Sequence, residues 1–310
     1  MAAVQGLTVE HLPWRVATAP SSSANLGPGF DSLAIALSCH VTVMVGPAES
    51  LTVRSFGEGS GFALDATHLA ARIVTSVLGH DRFEVVVNSA IPVARGLGSS
   101  AALAVAAAGA AGADDPLAVG TDVDGHPENA AASVFGGLVS AAMVEDRPAV
   151  ASHSLDPGLG FVVVVPEATL STEKAREVLP QVLSYGDATF NLGRMGLLLA
   201  GLADRRQLRA AAFEDRLHQP HRSRLFPEAD SIMAALRRAG AIGACWSGAG
   251  TSLLAVCDAE RAPELRQLAE AELEARSLAG TAVVLDADHR GLVVETFEHR
   301  PGTVVPAALR

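Results

Sequence analysis

Arg95–Ala102 reads RGLGSSAA and continues into LAVAAAGAA at Leu103–Ala111. Alanine is the strongest helix former, so the run Ser99–Ala111 predicts a helix, ended by Gly112 and the Asp114, Asp115, Pro116 cluster. Gly96 and Gly98 give the preceding loop the freedom to turn with positive φ and let a ligand approach the backbone. Ser99 and Ser100 then fall where the first N–H groups of a helix have no intrahelical acceptor. Such N–H groups, with the helix dipole behind them, make a phosphate site that needs no cationic side chain. The plainer reading of the same residues is a glycine turn with an ordinary serine N-cap. A P-loop needs Gly-Lys followed by Ser or Thr, and Arg95–Ala102 contains no lysine. Gly96 to Ala101 does match G-x-G-x-x-A of dinucleotide folds, with Asp114 and Asp115 downstream. A dinucleotide strand, however, runs straight into its first glycine, whereas Asn88–Arg95, with Pro92 inside it, intervenes here as a long loop. That disfavours a nicotinamide oxidoreductase.

Upstream of this stretch, Val41–Val45, Leu51–Ser55 and Phe83–Asn88 read as strands, and His68–Leu78 has the apolar spacing of a helix. Downstream, a strand at Phe161–Val165 ends at Pro166. Helical patterns follow at Glu173–Leu179, Ala188–Leu202, Arg206–Leu217 and Glu228–Ala239. Strands at Gly243–Trp246 and Ser252–Val256 flank a Ser-Gly-Ala-Gly turn. A helix at Pro263–Arg276 then precedes strands at Ala282–Leu285 and Leu292–Glu295. The change of pattern places a domain boundary near Leu155, giving units 1–155 and 156–310, and no repeat is visible.

The 310 residues are 49% apolar and 18% charged, which suits two medium domains and excludes bulk disorder. With 23 Lys plus Arg against 34 Asp plus Glu, the net charge is −11, the wrong sign for a general grip on nucleic acid or an anionic membrane. An anionic ligand therefore needs a local site. No apolar run approaches the roughly 20 residues of a membrane span, and MAAVQGLTVEHLPWRV lacks a secretory layout, so a cytoplasmic location is expected. Cys39, Cys245 and Cys257 are odd in number and without C-x-x-C spacing, and read as buried free thiols.

Taken with SSSANLGPGFDSL at Ser21–Leu33 and ACWSGAGTSLL at Ala244–Leu254, RGLGSSAA resembles the GHMP small-molecule kinases over nearly the whole chain. DGHPENAAASVFGG from Asp124, STEKAREVLP from Ser171 and QPHRSRLFPEAD from Gln219 are similar to its homoserine-phosphorylating branch. The resemblance implies an α+β, two-domain GHMP kinase fold: an N-terminal domain with a left-handed βαβ crossover and a C-terminal ferredoxin-like domain. It implies ATP and Mg²⁺ as cofactors and transfer of phosphate to the hydroxyl of L-homoserine. By that resemblance Arg95, Gly96, Leu97, Gly98, Ser99 and Ser100 wrap the nucleotide phosphates, and Asn25, Asp31, His126 and Thr172 contact substrate. Arg176 and Arg222 match arginines that grip the amino-acid carboxylate, a pairing that suits the planar guanidinium. Asn129 stands where some relatives carry an aspartate base, which implies catalysis without a dedicated carboxylate base, the proton leaving late to phosphate or water. The magnesium ligands implied are Ser100 and Asp124, with Asp122 as second choice.

Three departures from the family accompany these matches. The stretch from Ser100 to His126 is shorter, as though much of a helix were missing between phosphate loop and metal acid. Thr251 stands where proline is common, and His68 where an asparagine near the base is common. The first departure, together with an aspartate at Asp124 where the family usually shows a glutamate, motivates an alternative, a ligand-binding relative without turnover. A kinase for another carboxylate-bearing alcohol is a further alternative. A homodimer would be common for such an enzyme.

Overall fold

The computed structural model describes residues 13–302, so the reading of the first twelve residues as lacking a leader lies outside them. In chain order the strands are β1 (Trp14–Asn25), β2 (Gly29–Pro47), β3 (Thr52–Gly57), β4 (Phe83–Ser89), β5 (Leu138–Val144), β6 (Arg147–His153), β7 (Leu159–Pro166), β8 (Gly243–Trp246), β9 (Leu253–Asp258), β10 (Gly280–Leu285) and β11 (Val293–Phe297). The α-helices are α1 (Leu69–Leu78), α2 (Ser99–Ala111), α3 (Pro116–Asp124), α4 (Glu128–Phe135), α5 (Thr172–Glu177), α6 (Tyr185–Ala203), α7 (Gln219–Arg222), α8 (Ala229–Arg238) and α9 (Ala262–Ala275).

The alanine run is helix α2, and ten of its thirteen residues are buried, so it sits inside the first layer rather than on it. Side chains this small let α1, α3 and the sheet strands β1 and β2 close on it from every side. Gly112 ends it in a left-handed cap, and Asp115 caps α3, accepting from Ala118 N with Pro116 in the first turn. The first sheet runs β11-β1-β2-β4-β3, with β5 paired to the start of β2 and β6 to β5. Parallel β3 and β4 are joined through α1. Val293–Phe297 belongs to this sheet by pairing antiparallel with β1, so the last strand returns to the opening layer.

The second sheet has the antiparallel order β10-β7-β9-β8, with helices in the β7–β8 and β9–β10 connections, the ferredoxin-like arrangement expected. Strand β7 is buried on both faces. Phe161, Val163 and Val165 enter the core shared with the first sheet, while Val162 and Val164 pack towards α8 and α9. That alternation joins the two layers into one packed body.

One reading of local structure needs correction. Arg206–Leu217 is not a helix; only Ala210–Phe213 makes a 3₁₀ turn. Asp204 ties down the N–H and guanidinium of Arg206, and Leu208, Ala212 and Phe213 bury one at a time, Phe213 beneath Gly243. The serine-rich start of SSSANLGPGFD is strand, its hydroxyls satisfied by distant partners: Ser21 Oγ donates to Leu37 O and Ser22 Oγ to Asn129 Oδ1.

Leu33 is fully buried in the first core where β2 meets β5. Leu33→Ala should lower unfolding free energy by about 2–5 kcal/mol in urea denaturation; a loss below about 1 kcal/mol would mean the site collapses around the void.

Candidate active site

One cavity of about 560 Å³ opens between the phosphate-type loop, the β1–β2 turn, the start of α4 and helices α5 and α7. Its floor is the N-terminus of α2. Gly98 precedes that helix at φ +62° and offers no side-chain cap, which leaves the first amides to the cavity. A Cβ on Gly98 would lie 2.1 Å from Ser22 Oγ, and one on Gly96 2.1 Å from Ser247 O. Glycine is therefore required at both positions by space as well as by φ. Ser247 Oγ donates to Gly96 O at 2.7 Å and Ser22 N to Leu97 O at 3.1 Å. The third glycine-rich stretch is thus a brace for the second. Arg95 spends its guanidinium on the carbonyls of Pro166, Val93 and Glu167, and so anchors the loop. Leu97 is buried beneath it.

Ser99, Ser100 and Asp124 line the same cavity, and the Ser100 side chain is close enough to the Asp124 carboxylate to favour its charged form. The short link Gly112–Asp115 between α2 and α3 brings that carboxylate back to the loop, so the shortened segment still joins phosphate loop and acid. Burial pushes the Asp124 carboxyl up to about 6, against the pull of His126 and of Ser100. Asp122 is exposed and lines a separate cleft with Asp115, Thr121 and Asp146, so the structure does not bring it to the site.

The opposite wall carries the substrate candidates. Asn25 holds the β1–β2 turn, donating from Nδ2 to Gly248 O and accepting at Oδ1 from Asp31 N, both at 2.9 Å. Asp31 meets Arg176 through two hydrogen bonds of 3.0 and 2.8 Å. Thr172, exposed in the first turn of α5, lines the rim. His126 Nδ1 lies 2.7 Å from Glu128 Oε1. Burial works against the proton of His126, but that bond and the charges of Glu128, Asp124 and Asp31 outweigh it and raise its pKa. Asn129 Oδ1 accepts from Ser22, and Nδ2 contacts Glu128 Oε1 at 3.4 Å.

The sequence reading passed over Glu128. It is 1% exposed, its Oε2 has no hydrogen-bond partner among the described residues, and one of its carboxylate oxygens, one of Asp31 and a ring nitrogen of His126 lie within 4.8 Å of one another. An acid opening a helix was the available signal, masked by its ordinary value as a dipole partner.

Arg222 is 2% exposed, and no carboxylate lies within 4.0 Å of it among the described residues. Its hydrogen bonds go to Gly248 O, Ala175 O and His218 Nδ1. Burial pulls its pKa down to about 10, with Asp31 opposing. A buried, always-charged group with no carboxylate in direct contact among the described residues, at the wall of a cavity, calls for an anionic ligand.

The chain matches the family descriptions "GHMP kinases N terminal domain" over residues 65–137 and "GHMP kinases C terminal" over 197–274. A homoserine kinase of Mycolicibacterium smegmatis is 42% identical over 260 residues, covering 76% of this chain and 82% of that protein. One of Clavibacter michiganensis is 35% identical over 299 residues, covering 90% and 93%. The crystal structure of homoserine kinase from Cytophaga hutchinsonii superposes with a TM-score of 0.81 at 24% identity, covering 95% of this chain and all of that one.

His218 is fully buried, and burial pulls its pKa down to about 4 from the ordinary 6.5. Between those values the unfolded chain binds the extra proton, so stability is complete above pH 6.5 and is lost as pH falls towards 4. Stability should therefore be lower at pH 4.5 than at pH 7, read by chemical denaturation at the two pH values. His218→Gln should flatten the dependence; an equal loss in both proteins would contradict the assignment.

Proposed function

The chain belongs to the homoserine kinases of the GHMP kinase family, and we propose from its own residues how it moves phosphate from ATP to the hydroxyl of L-homoserine. The observation that carries the reading is the buried Arg222, which has no carboxylate within 4.0 Å among the described residues and which lines the cavity with Asp31 and Glu128. A zwitterionic alcohol fits that polarity: its carboxylate goes to Arg222 and Arg176, and its ammonium to the acids around His126. Arg176 exchanges Asp31 for the substrate carboxylate, which frees Asp31 for the ammonium or hydroxyl.

The amides of Gly98–Ser100 take the phosphate oxygens, where the end of the helix dipole favours negative charge. Mg²⁺, when bound, neutralises charge on the phosphates. The hard-oxygen pair Ser100 and Asp124 fits it, and the raised Asp124 carboxyl is one that a cation would return to the charged form. Asn129 supplies no base, since a neutral amide cannot accept the hydroxyl proton and its oxygen is already bonded to Ser22. It holds that wall in register, and positioning with charge neutralisation carries the acceleration. Such a kinase works where ATP is abundant, in the cytoplasm.

ADP release with homoserine, compared with 3-aminopropan-1-ol, tests the carboxylate assignment. Losing the carboxylate should reduce kcat/KM by about 100-fold or more; equal turnover of the two alcohols would overturn it, and ligand-induced stabilisation with no ADP would favour the non-catalytic alternative. Asn129→Ala should lower kcat about 10-fold with folding intact, whereas complete loss of activity would restore an essential chemical role to that residue.

A further inference from the structure

Arg222 can hold a substrate carboxylate only if its guanidinium is fixed without being neutralised. Its three partners are all uncharged acceptors: Gly248 O at 2.8 Å, Ala175 O at 3.4 Å and the Nδ1 atom of His218 at 3.1 Å. A carboxylate at the third position would saturate the guanidinium and compete with the substrate. An imidazole holds one N–H and leaves the charge for the ligand.

The protonation state of His218 follows from its partners. Nε2 lies 2.8 Å from Gly27 O, an acceptor only, so Nε2 carries the hydrogen. Nδ1 faces the Arg222 Nη1 group, a donor only, so Nδ1 presents its lone pair. The ring orientation is held as well. Phe30 stacks on it with centroids 5.1 Å apart, and the same Phe30 ring lies 5.4 Å from the Arg222 guanidinium carbon. Asp215, the nearby carboxylate, accepts from Asn191 Nδ2 and the backbone N–H groups of Leu217, His218 and Gln219, which fixes the turn that launches α7. Gly27 O belongs to the β1–β2 turn beside Asn25 and Asp31, so one imidazole ties the substrate loop to the carboxylate-binding arginine.

We propose that His218 is the positioning residue for Arg222: a neutral, tautomerically fixed acceptor that aims the guanidinium at the substrate carboxylate while keeping it free of any anion of the protein. The inference rests on the reading of Arg222 as the carboxylate grip. Asparagine at 218 places its amide oxygen near the Nδ1 position and keeps the acceptor. Glutamine reaches the Nε2 position, keeping the bond to Gly27 O and losing the acceptor.

Steady-state kinetics of H218N and H218Q separate the two bonds. H218Q should raise the homoserine KM about 10-fold with kcat within about 3-fold and the ATP KM unchanged, whereas H218N should stay within about 3-fold of the parent in all three. In an R222M background, H218Q should add less than about 2-fold to the homoserine KM, because its effect passes through Arg222. Should H218Q not fold, H218M in the parent and R222M backgrounds carries the same comparison. Equal effects of H218N and H218Q, or a full additional loss in the R222M background, would overturn the proposal. A parent enzyme indifferent to the substrate carboxylate removes the reading of Arg222 itself. A discriminating parent matched by H218Q removes only the role of His218.

Discussion

The structure depends on a helix that has almost no side chains. Because eight of the thirteen residues of α2 are alanine and one is glycine, with only Leu103 and Val105 larger than the two leading serines, it can lie inside the first layer with strands and helices on all sides. Burial fixes its axis, and with it the position of its uncapped N-terminal amides at the floor of the cavity. A helix with larger side chains would stand further from β1 and β2, and Ser22, Gly98 and Asn129 could not approach as closely as they do. Dense packing and phosphate chemistry are here consequences of the same run of sequence.

The charge distribution solves a problem set by composition. A protein of net charge −11 repels a polyphosphate at long range, and in salt that repulsion fades within about a Debye length, roughly 8–10 Å. Inside that distance local groups decide. Backbone amides and a metal-ready Ser100–Asp124 pair serve one end of the cavity, and two arginines and three acidic or imidazole groups serve the other. The Asp31–Arg176 pair satisfies both partners until a zwitterion replaces each with its own opposite charge. The Asp31 and Arg176 side chains remain partly open to solvent, which keeps that exchange inexpensive, whereas Arg222 stays buried and charged.

Much of this was legible in residues 95–111, where propensity, glycine placement and the leading serines agree with the tertiary structure. The buried strand Ser21–Asn25 was not legible as strand, because serine and asparagine usually mark turns and the partner of Ser22 lies 107 positions away. Arg206–Leu217 misled in the opposite direction: its apolar spacing serves separate insertions into the core beneath β8, not a helical face. Asp122 and Asp124 could have been separated on sequence alone, since residues two apart on a helix do not share a face. Glu128 and His218 were hidden for separate reasons. For Glu128 the place at the start of α4 looked like an ordinary dipole partner, and for His218 no spacing or composition reveals a buried lone pair.

The most direct measurement is a crystal structure with a non-hydrolysable ATP analogue and Mg²⁺. The account predicts phosphate oxygens on the amides of Gly98–Ser100, with the metal held by Ser100 and Asp124. Phosphates bound elsewhere in the cavity, with those amides left to solvent, would contradict it.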